Sequence, residues 1–185
     1  ILISSQGAQL VLAPDVMAYG VTTGPDGLVY VADSGRVYRI DPVGGSIEVY
    51  LDPSTLAEPF AARIVDFDAD ASLMYISSFG SNVYVLSLDE QLNPIGQPRF
   101  FARVRPGVSF LDGLGVDACG NLYIPNYESS ALYRIRPDGH RSKYFQWEFE
   151  QYGHGLEWSE GAPGWNPNAL YLPQPYDGNT VLELD

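Results

Sequence analysis

At the start of its clearest repeat the chain reads DGLGVDACGNLYI, residues 112–124. This stretch alternates between apolar and polar residues, turns at a glycine and continues into a Leu-Tyr-Ile run, a pattern that is typical of two short antiparallel strands joined by a tight turn. The same order recurs three more times, beginning at Tyr19, Arg63 and His154. The sequence therefore consists of four related units, and their spacing decides the fold.

One tyrosine in each unit measures the period of the repeat. Tyr30, Tyr75, Tyr123 and Tyr171 are separated by 45, 48 and 48 residues (75 − 30, 123 − 75, 171 − 123). A period of about 40–50 residues with several short strands in each unit is typical of a β-propeller, in which such tyrosines pack one blade against the next. The sequence predicts an all-β propeller with four recognisable four-stranded blades. We expect a single domain, residues 1–185, with repeats at about 14–52, 60–103, 108–148 and 152–185.

The composition supports a folded acidic domain. Of the 185 residues 45% are hydrophobic and 18% are charged, and the net charge is −13. This charge disfavours nucleic acid as a partner, because a phosphate backbone would be repelled. No apolar run approaches the roughly 20 residues that a membrane-spanning helix needs. The acidic, tyrosine- and glycine-rich composition favours a secreted or periplasmic location, and a signal peptide is not present in this sequence.

The two ends of the sequence suggest how the propeller is completed. The last repeat stops after its third predicted strand, and an additional strand at residues 8–13 precedes the first repeat. Because pairing of the chain ends hides exposed strand edges, we expect this N-terminal strand to complete the last blade. Two architectures remain open, a four-bladed ring and a part of a larger ring. The second would need missing blades or self-association to cover its open faces.

The third repeat carries a family resemblance. Residues 112–124, followed by LYRIRPDG at residues 132–139, resemble the regucalcin/gluconolactonase (senescence-marker-protein-like) superfamily, which is similar to propellers with NHL repeats. The resemblance implies a six-bladed propeller with a divalent metal, most often calcium, on its axis, and hydrolysis of sugar lactones or related esters. Asp112 matches the Asp of the family's Asp-Gly motif, and His154 stands where the family often has Asn. Tyr19 and Arg63 depart from the pattern at the equivalent positions.

The residues themselves point to one candidate site. Equivalent positions on inner strands face one axial mouth, so we expect Asp112 and His154 to converge with Tyr19 and Arg63. A carboxylate beside an imidazole can ligate a metal or act as an oriented general base, and Arg63 would then stabilise an oxyanion. The alternative is that Asp112 caps a turn and that His154 bonds to a neighbouring loop. Trp165, in a long loop of the last repeat, either contacts a substrate at the mouth or fills the edge of the blade.

Three functions follow from these features. The leading hypothesis is a ligand- or protein-binding propeller module with a degenerate axial site, whose partner is a small molecule or a protein at the mouth. The second hypothesis is a metal-dependent lactonase or esterase that uses Asp112 and His154. The third is a structural propeller segment of a larger extracellular assembly.

Overall fold

After a two-stranded N-terminal sheet, four antiparallel sheets follow one another along the chain, each built from strands that pair in sequence order. The computed structural model describes residues 2–3, 9–10, 16–33, 35–106, 110–147, 153–158, 163–174 and 180–184. Blade 1 contains β3 (Gly20–Thr23), β4 (Val29–Ala32), β5 (Val37–Ile40) and β6 (Ile47–Leu51), after the short strands β1 (Leu2–Ile3) and β2 (Gln9–Leu10). Blade 2 contains β7 (Ala62–Phe67), β8 (Leu73–Ser78), β9 (Asn82–Leu88) and β10 (Pro94–Arg103).

The second half of the chain repeats this arrangement. Blade 3 contains β11 (Gly115–Val116), β12 (Leu122–Asn126), β13 (Ala131–Ile135) and β14 (Arg141–Gln146), and blade 4 contains β15 (Glu157–Trp158), β16 (Leu170–Gln174) and β17 (Thr180–Leu184). Two single-turn 3₁₀ helices complete the described elements, at Pro53–Thr55 and Tyr127–Ser129. The prediction of an all-β propeller with four blades is confirmed. No helix within the described residues is long and apolar enough to cross a membrane.

The N-terminal strand differs from its prediction. β2 pairs with β1, with Leu2 opposite Leu10 and Ile3 opposite Gln9. Among the described residues blade 4 has three strands, and no N-terminal strand is paired with it. Residues 8 and 11–13 of the predicted strand lie outside the described residues. A local hairpin closes a much shorter loop than a pairing with the far end of the chain, so it loses less conformational entropy.

The tyrosine period is explained by the way in which the blades pack. Successive strand residues point to opposite faces of a sheet. Met74 and Ile76 therefore pack in the core between blades 1 and 2, while Tyr75 packs in the core between blades 2 and 3. Tyr123 likewise points towards blade 4, where it meets Leu156. The four repeat tyrosines are between 0% and 8% exposed, which confirms that the stripe belongs to the core.

Hydrogen bonds near the axis hold blade 2 to both of its neighbours. The Thr22 hydroxyl donates to the carbonyl oxygen of Val65 at 2.7 Å, which links blades 1 and 2. The Val116 amide donates to Asp66 Oδ2 at 2.9 Å, which links blades 2 and 3. Gly20 has a related role: a Cβ there would lie 2.8 Å from the carbonyl oxygen of Arg63, so only glycine allows this close approach. The inner strands are thus fixed relative to one another.

Burial of Tyr30 predicts a loss of stability in alkaline solution. Removal of the phenol from water, with a smaller contribution from Asp26, raises the pKa of Tyr30 from 10.0 to about 12. Because the folded pKa lies above the unfolded value, the folded chain holds more protons between these two pH values. The stabilisation is fully present below pH 10.0 and is lost as the pH rises towards about 12. We expect Tyr30→Phe to reduce the alkaline fall in the free energy of unfolding, measured by urea titration across this range; an unchanged fall would contradict the assignment.

Candidate axial site

The predicted axial residues occupy equivalent positions at one end of the inner strands. Tyr19 precedes β3, Asp112 lies shortly before β11, and His154 lies shortly before β15. In each case the backbone amide donates to the second strand of the same blade: Tyr19 to Ala32, Asp112 to Pro125 and His154 to Pro173, at 2.9, 3.2 and 2.9 Å. These hydrogen bonds give the three residues the same register. Their side chains therefore start from the same end of the propeller axis.

Arg63 reaches the same mouth through a β-bulge. Ala62 is opposite Ser78 and Ile64 is opposite Ser77, so that Arg63 is the extra residue on β7. A bulge bends its strand and changes the direction of the extra side chain, and bulges are common beside functional sites. Here the local irregularity aims the guanidinium at blade 3 instead of continuing the regular alternation of the strand.

Asp112 joins Arg63 to His154. Arg63 Nη2 donates to Asp112 Oδ1 in an ion pair, and His154 Nδ1 lies 3.1 Å from Asp112 Oδ2. The side chains of Arg63 and Asp112 are only 14% and 9% exposed, and that of His154 is 29% exposed. A pair this well buried is screened little by water. The structure thus brings together three residues that are 49 and 42 positions apart in the chain (112 − 63, 154 − 112), as the repeat spacing predicts.

Three aromatic rings surround the guanidinium, and we call Tyr19, Phe79 and Phe110 the aromatic collar. The Arg63 Cζ atom lies 5.7, 4.9 and 5.6 Å from their respective ring centroids. Tyr19 and Phe79 also contact each other edge to face, with centroids 4.7 Å apart. The three side chains are 44%, 36% and 44% exposed. A cation beneath exposed ring faces is held by cation–π attraction and leaves apolar surface open to a ligand.

The surroundings of His154 limit its chemistry. Nδ1 faces Asp112, the ring of Tyr127 stands 5.6 Å away at an angle of 72°, and the Nε2 atom is buried. A general base needs one nitrogen within hydrogen-bond reach of the proton that it removes. In this conformation neither ring nitrogen of His154 is presented to water at the mouth.

The donor set does not suit a calcium ion. Calcium takes six to eight oxygen ligands, commonly from carboxylates, carbonyl groups and water. Both oxygens of Asp112 already face cationic or donor groups, and the Arg63 guanidinium places a fixed positive charge next to them. Among the described residues no cluster of three or more His, Cys, Asp or Glu side chains could hold a metal. The described residues of this mouth therefore do not fit the divalent metal that the family resemblance implies.

Trp165 lies away from the axial mouth. Its ring packs edge to face on Tyr171 with centroids 4.4 Å apart, and Tyr171 Oη accepts a hydrogen bond from the Asn166 amide at 2.8 Å. The two rings line an apolar cavity of about 440 Å³ beside Trp158 and Val181. Of the two sequence-based alternatives, the position at the blade edge agrees with this packing. The loop joins β15 to β16, so it lies at the end of the inner strand opposite to Tyr19.

Some residues of the mouth were not identified from the sequence. Phe79 follows β8, Phe110 precedes blade 3, and Tyr127 begins the 3₁₀ helix after β12. Phe79 and Tyr127 occupy loops that join the second and third strands of their blades, and these loops open on the side where the inner strands begin. A large aromatic residue in an otherwise small and polar stretch such as Ser77-Ser78-Phe79-Gly80-Ser81 is a signal that could have found Phe79.

The opposite end of the axis opens into a second, larger cavity of about 910 Å³. Its lining includes Thr22, Asp66, Asp117 and Trp158, which come from all four blades. The carboxylates accept hydrogen bonds that shape the fold: Asp66 from the amides of Phe67 and Val116, and Asp117 from the amides of Cys119 and Asn121. These acidic residues therefore have structural roles.

Comparison with known proteins identifies the family. Residues 15–150 match the model of the SMP-30/gluconolactonase/LRE-like region. The chain therefore belongs to this family, and the resemblance read from the third repeat is confirmed. No curated protein matched the sequence of the chain.

Solved structures share the fold at low sequence identity. A gluconolactonase from Xanthomonas campestris is 15% identical over 83% of this chain and 52% of its own, with a TM-score of 0.62. The calcium-binding protein regucalcin from Agrobacterium tumefaciens is 15% identical over 83% and 51%, with a TM-score of 0.64. A catalytically inactive histidine-to-alanine variant of virginiamycin B lyase from Staphylococcus aureus, solved with quinupristin, is 18% identical over 98% and 60%, with a TM-score of 0.58. The chain thus spans between half and two thirds of these proteins.

Proposed function

We propose that the chain is a ligand-binding propeller module that takes a neutral, ring-containing small molecule with a carbonyl oxygen at its axial mouth. One observation carries this proposal: a buried, charge-balanced guanidinium lies beneath a collar of half-exposed aromatic rings. The rings of Tyr19, Phe79 and Phe110 offer faces for a planar or apolar ligand. The guanidinium carries five N–H groups, of which Nη2 serves Asp112, so that it retains donors for a carbonyl oxygen.

Charge selects the ligand class. Asp112 balances Arg63 within the mouth, and the protein as a whole carries a net charge of −13. An anionic ligand would therefore meet no unbalanced positive charge at the mouth and would be repelled by the acidic surface. A neutral carbonyl compound avoids both costs. Lactones and aryl esters combine a carbonyl oxygen with a ring, and the gluconolactonase among the structural neighbours supports this class.

The second candidate function is hydrolysis of such a lactone or ester. Family membership and the 3.1 Å approach of His154 Nδ1 to Asp112 favour it, since a carboxylate that holds an imidazole is a common element of acid–base sites. The buried Nε2 atom weighs against it, because water at the mouth does not reach this nitrogen in the present conformation. Calcium is not assigned a step in this hydrolysis, because the donor set of the mouth does not suit it.

Other parts of the sequence-based interpretation are still predictions. They are a protein partner at the mouth, a secreted or periplasmic location, and a structural role within a larger assembly. The exposed aromatic collar supports a small molecule at least as well as a protein segment, because its three rings surround a single guanidinium.

A binding assay with a paired variant tests the proposal. We expect isothermal titration with a benzo-fused lactone to show one site, and Phe79→Ala to weaken binding by about 5–10-fold through loss of one stacking surface. The matched control is Phe145→Ala, which removes a comparably exposed ring from β14 and should leave the affinity unchanged. Absence of binding by the folded wild-type chain, or equal weakening by both variants, would contradict the proposal. Release of the hydroxy acid in the same samples would support the hydrolase, and its absence would leave a binding module.

A further inference from the structure

We propose that the guanidinium of Arg63 is a built-in replacement for the divalent cation that the family resemblance assigns to the propeller axis. In this account the axial carboxylate of Asp112 is neutralised by a side chain of the same protein. The mouth therefore needs no metal to fold, and it excludes one. This inference concerns the electrostatics of the mouth and does not depend on which ligand binds there.

The position of Arg63 is specified by the backbone. Arg63 is the extra residue of the bulge between Ala62 and Ile64, and a regular strand would direct this position differently. Gly20 of blade 1 packs against the same segment so closely that a Cβ would lie 2.8 Å from the Arg63 carbonyl oxygen. The backbone that carries the guanidinium is therefore held from both sides, by its own sheet and by the neighbouring blade.

The partners of the guanidinium are those that an organic cation would need. Asp112 supplies the negative charge, and His154 approaches the other oxygen of the same carboxylate at 3.1 Å. The rings of Tyr19, Phe79 and Phe110 supply cation–π attraction, with Arg63 Cζ between 4.9 and 5.7 Å from their centroids. Aromatic faces suit a weakly hydrated guanidinium, whereas calcium and magnesium prefer oxygen donors. The surroundings are thus built for an organic cation.

Removal of the positive charge of Arg63 should allow an external cation to bind at Asp112. Arg63→Gln keeps a polar side chain but leaves the largely buried Asp112 carboxylate without its ion-pair partner. An external cation can then lower the cost of that uncompensated charge. Asp112→Asn removes the negative charge that an external cation would neutralise. The double variant with Arg63→Gln and Asp112→Asn should therefore not be stabilised by cations.

Thermal unfolding with and without divalent cations tests the inference. We expect millimolar calcium, magnesium or manganese to leave the Tm of the wild-type chain at its value in EDTA. We expect Arg63→Gln to unfold at a lower temperature in EDTA and at least one of these cations to raise its Tm by about 2–4 °C. The double variant should show no such rise. Calorimetric titration should report binding only to Arg63→Gln.

Two further variants separate specific from general effects. Arg36→Gln breaks the more exposed ion pair with Asp52, whose side chains are 50% and 23% exposed, and it controls for weak attraction of cations to an acidic surface. Arg63→Lys keeps a positive charge, so its Tm should not change when the cations are added. This variant is the one to measure if Arg63→Gln does not fold. Stoichiometric cation binding by the wild-type chain or by Arg63→Lys overturns the inference. The inference is also overturned if Arg63→Gln folds and no cation raises its Tm by more than the same cation raises the Tm of Arg36→Gln.

Discussion

Replacement of Asp112 by alanine is expected to lower the free energy of unfolding by about 3–5 kcal/mol, which is the usual cost of removing one partner of a buried ion pair. The substitution leaves the guanidinium of Arg63, only 14% exposed, without its carboxylate, and it also removes the group that faces His154 Nδ1. Urea denaturation of the two chains measures the difference.

The control for this result is an exposed pair of the same residue types. Arg136 and Asp138 stand 3.9 Å apart with side chains that are 50% and 66% exposed, so Arg136→Met should change the stability by less than about 0.5 kcal/mol. A double-mutant cycle with Arg63→Met isolates the pair, and we expect a coupling energy of at least about 1 kcal/mol. Additive effects of Asp112→Ala and Arg63→Met would show that the two side chains do not act together.

The second large effect is expected at the repeat tyrosine of blade 3. Tyr123 is 6% exposed and packs between blades 3 and 4, edge to face with Trp158 at a centroid distance of 5.5 Å. Tyr123→Ala removes a full aromatic ring from a packed interface and should lower the free energy of unfolding by about 3–5 kcal/mol. The loss is measured by chemical denaturation at constant pH.

An exposed apolar residue provides the comparison. Ile95 on β10 is 57% exposed, and Ile95→Ala should change the stability by less than about 0.5 kcal/mol. If Tyr123→Ala costs no more than Ile95→Ala, the tyrosine stripe does not hold the blades together and the explanation of the period is wrong.

The sequence predicted the features that depend on local pattern and on the repeat. Alternation and turn glycines indicate the strands, and the period of Tyr30, Tyr75, Tyr123 and Tyr171 indicates the propeller. Equivalent positions in repeats fall at equivalent places in a symmetric fold. The convergence of Arg63 with Asp112, 49 positions later (112 − 63), could therefore be predicted from the sequence.

Other features depend on register and on contacts between distant residues. The bulge at Arg63 arises from a one-residue mismatch between β7 and β8, and no residue type in this segment predicts it. The choice of partner for Asp112 follows from this bulge. Trp165 packs on Tyr171 because the loop folds back on its own blade, and a tryptophan among glycine and proline residues is compatible with either destination. The N-terminal strand β2 could pair either with β1 or with the last blade, and the sequence pattern alone does not decide between these two partners.

A crystal structure of the chain soaked with a benzo-fused lactone would test the central claim most directly. The account predicts that the ligand ring lies against the aromatic collar of Tyr19, Phe79 and Phe110, with its carbonyl oxygen accepting from the Arg63 guanidinium. Asp112 should keep its ion pair with Arg63 in the complex. A ligand found instead in the apolar cavity beside Trp165 and Tyr171, or a metal ion on Asp112 with Arg63 displaced from the axis, would contradict it.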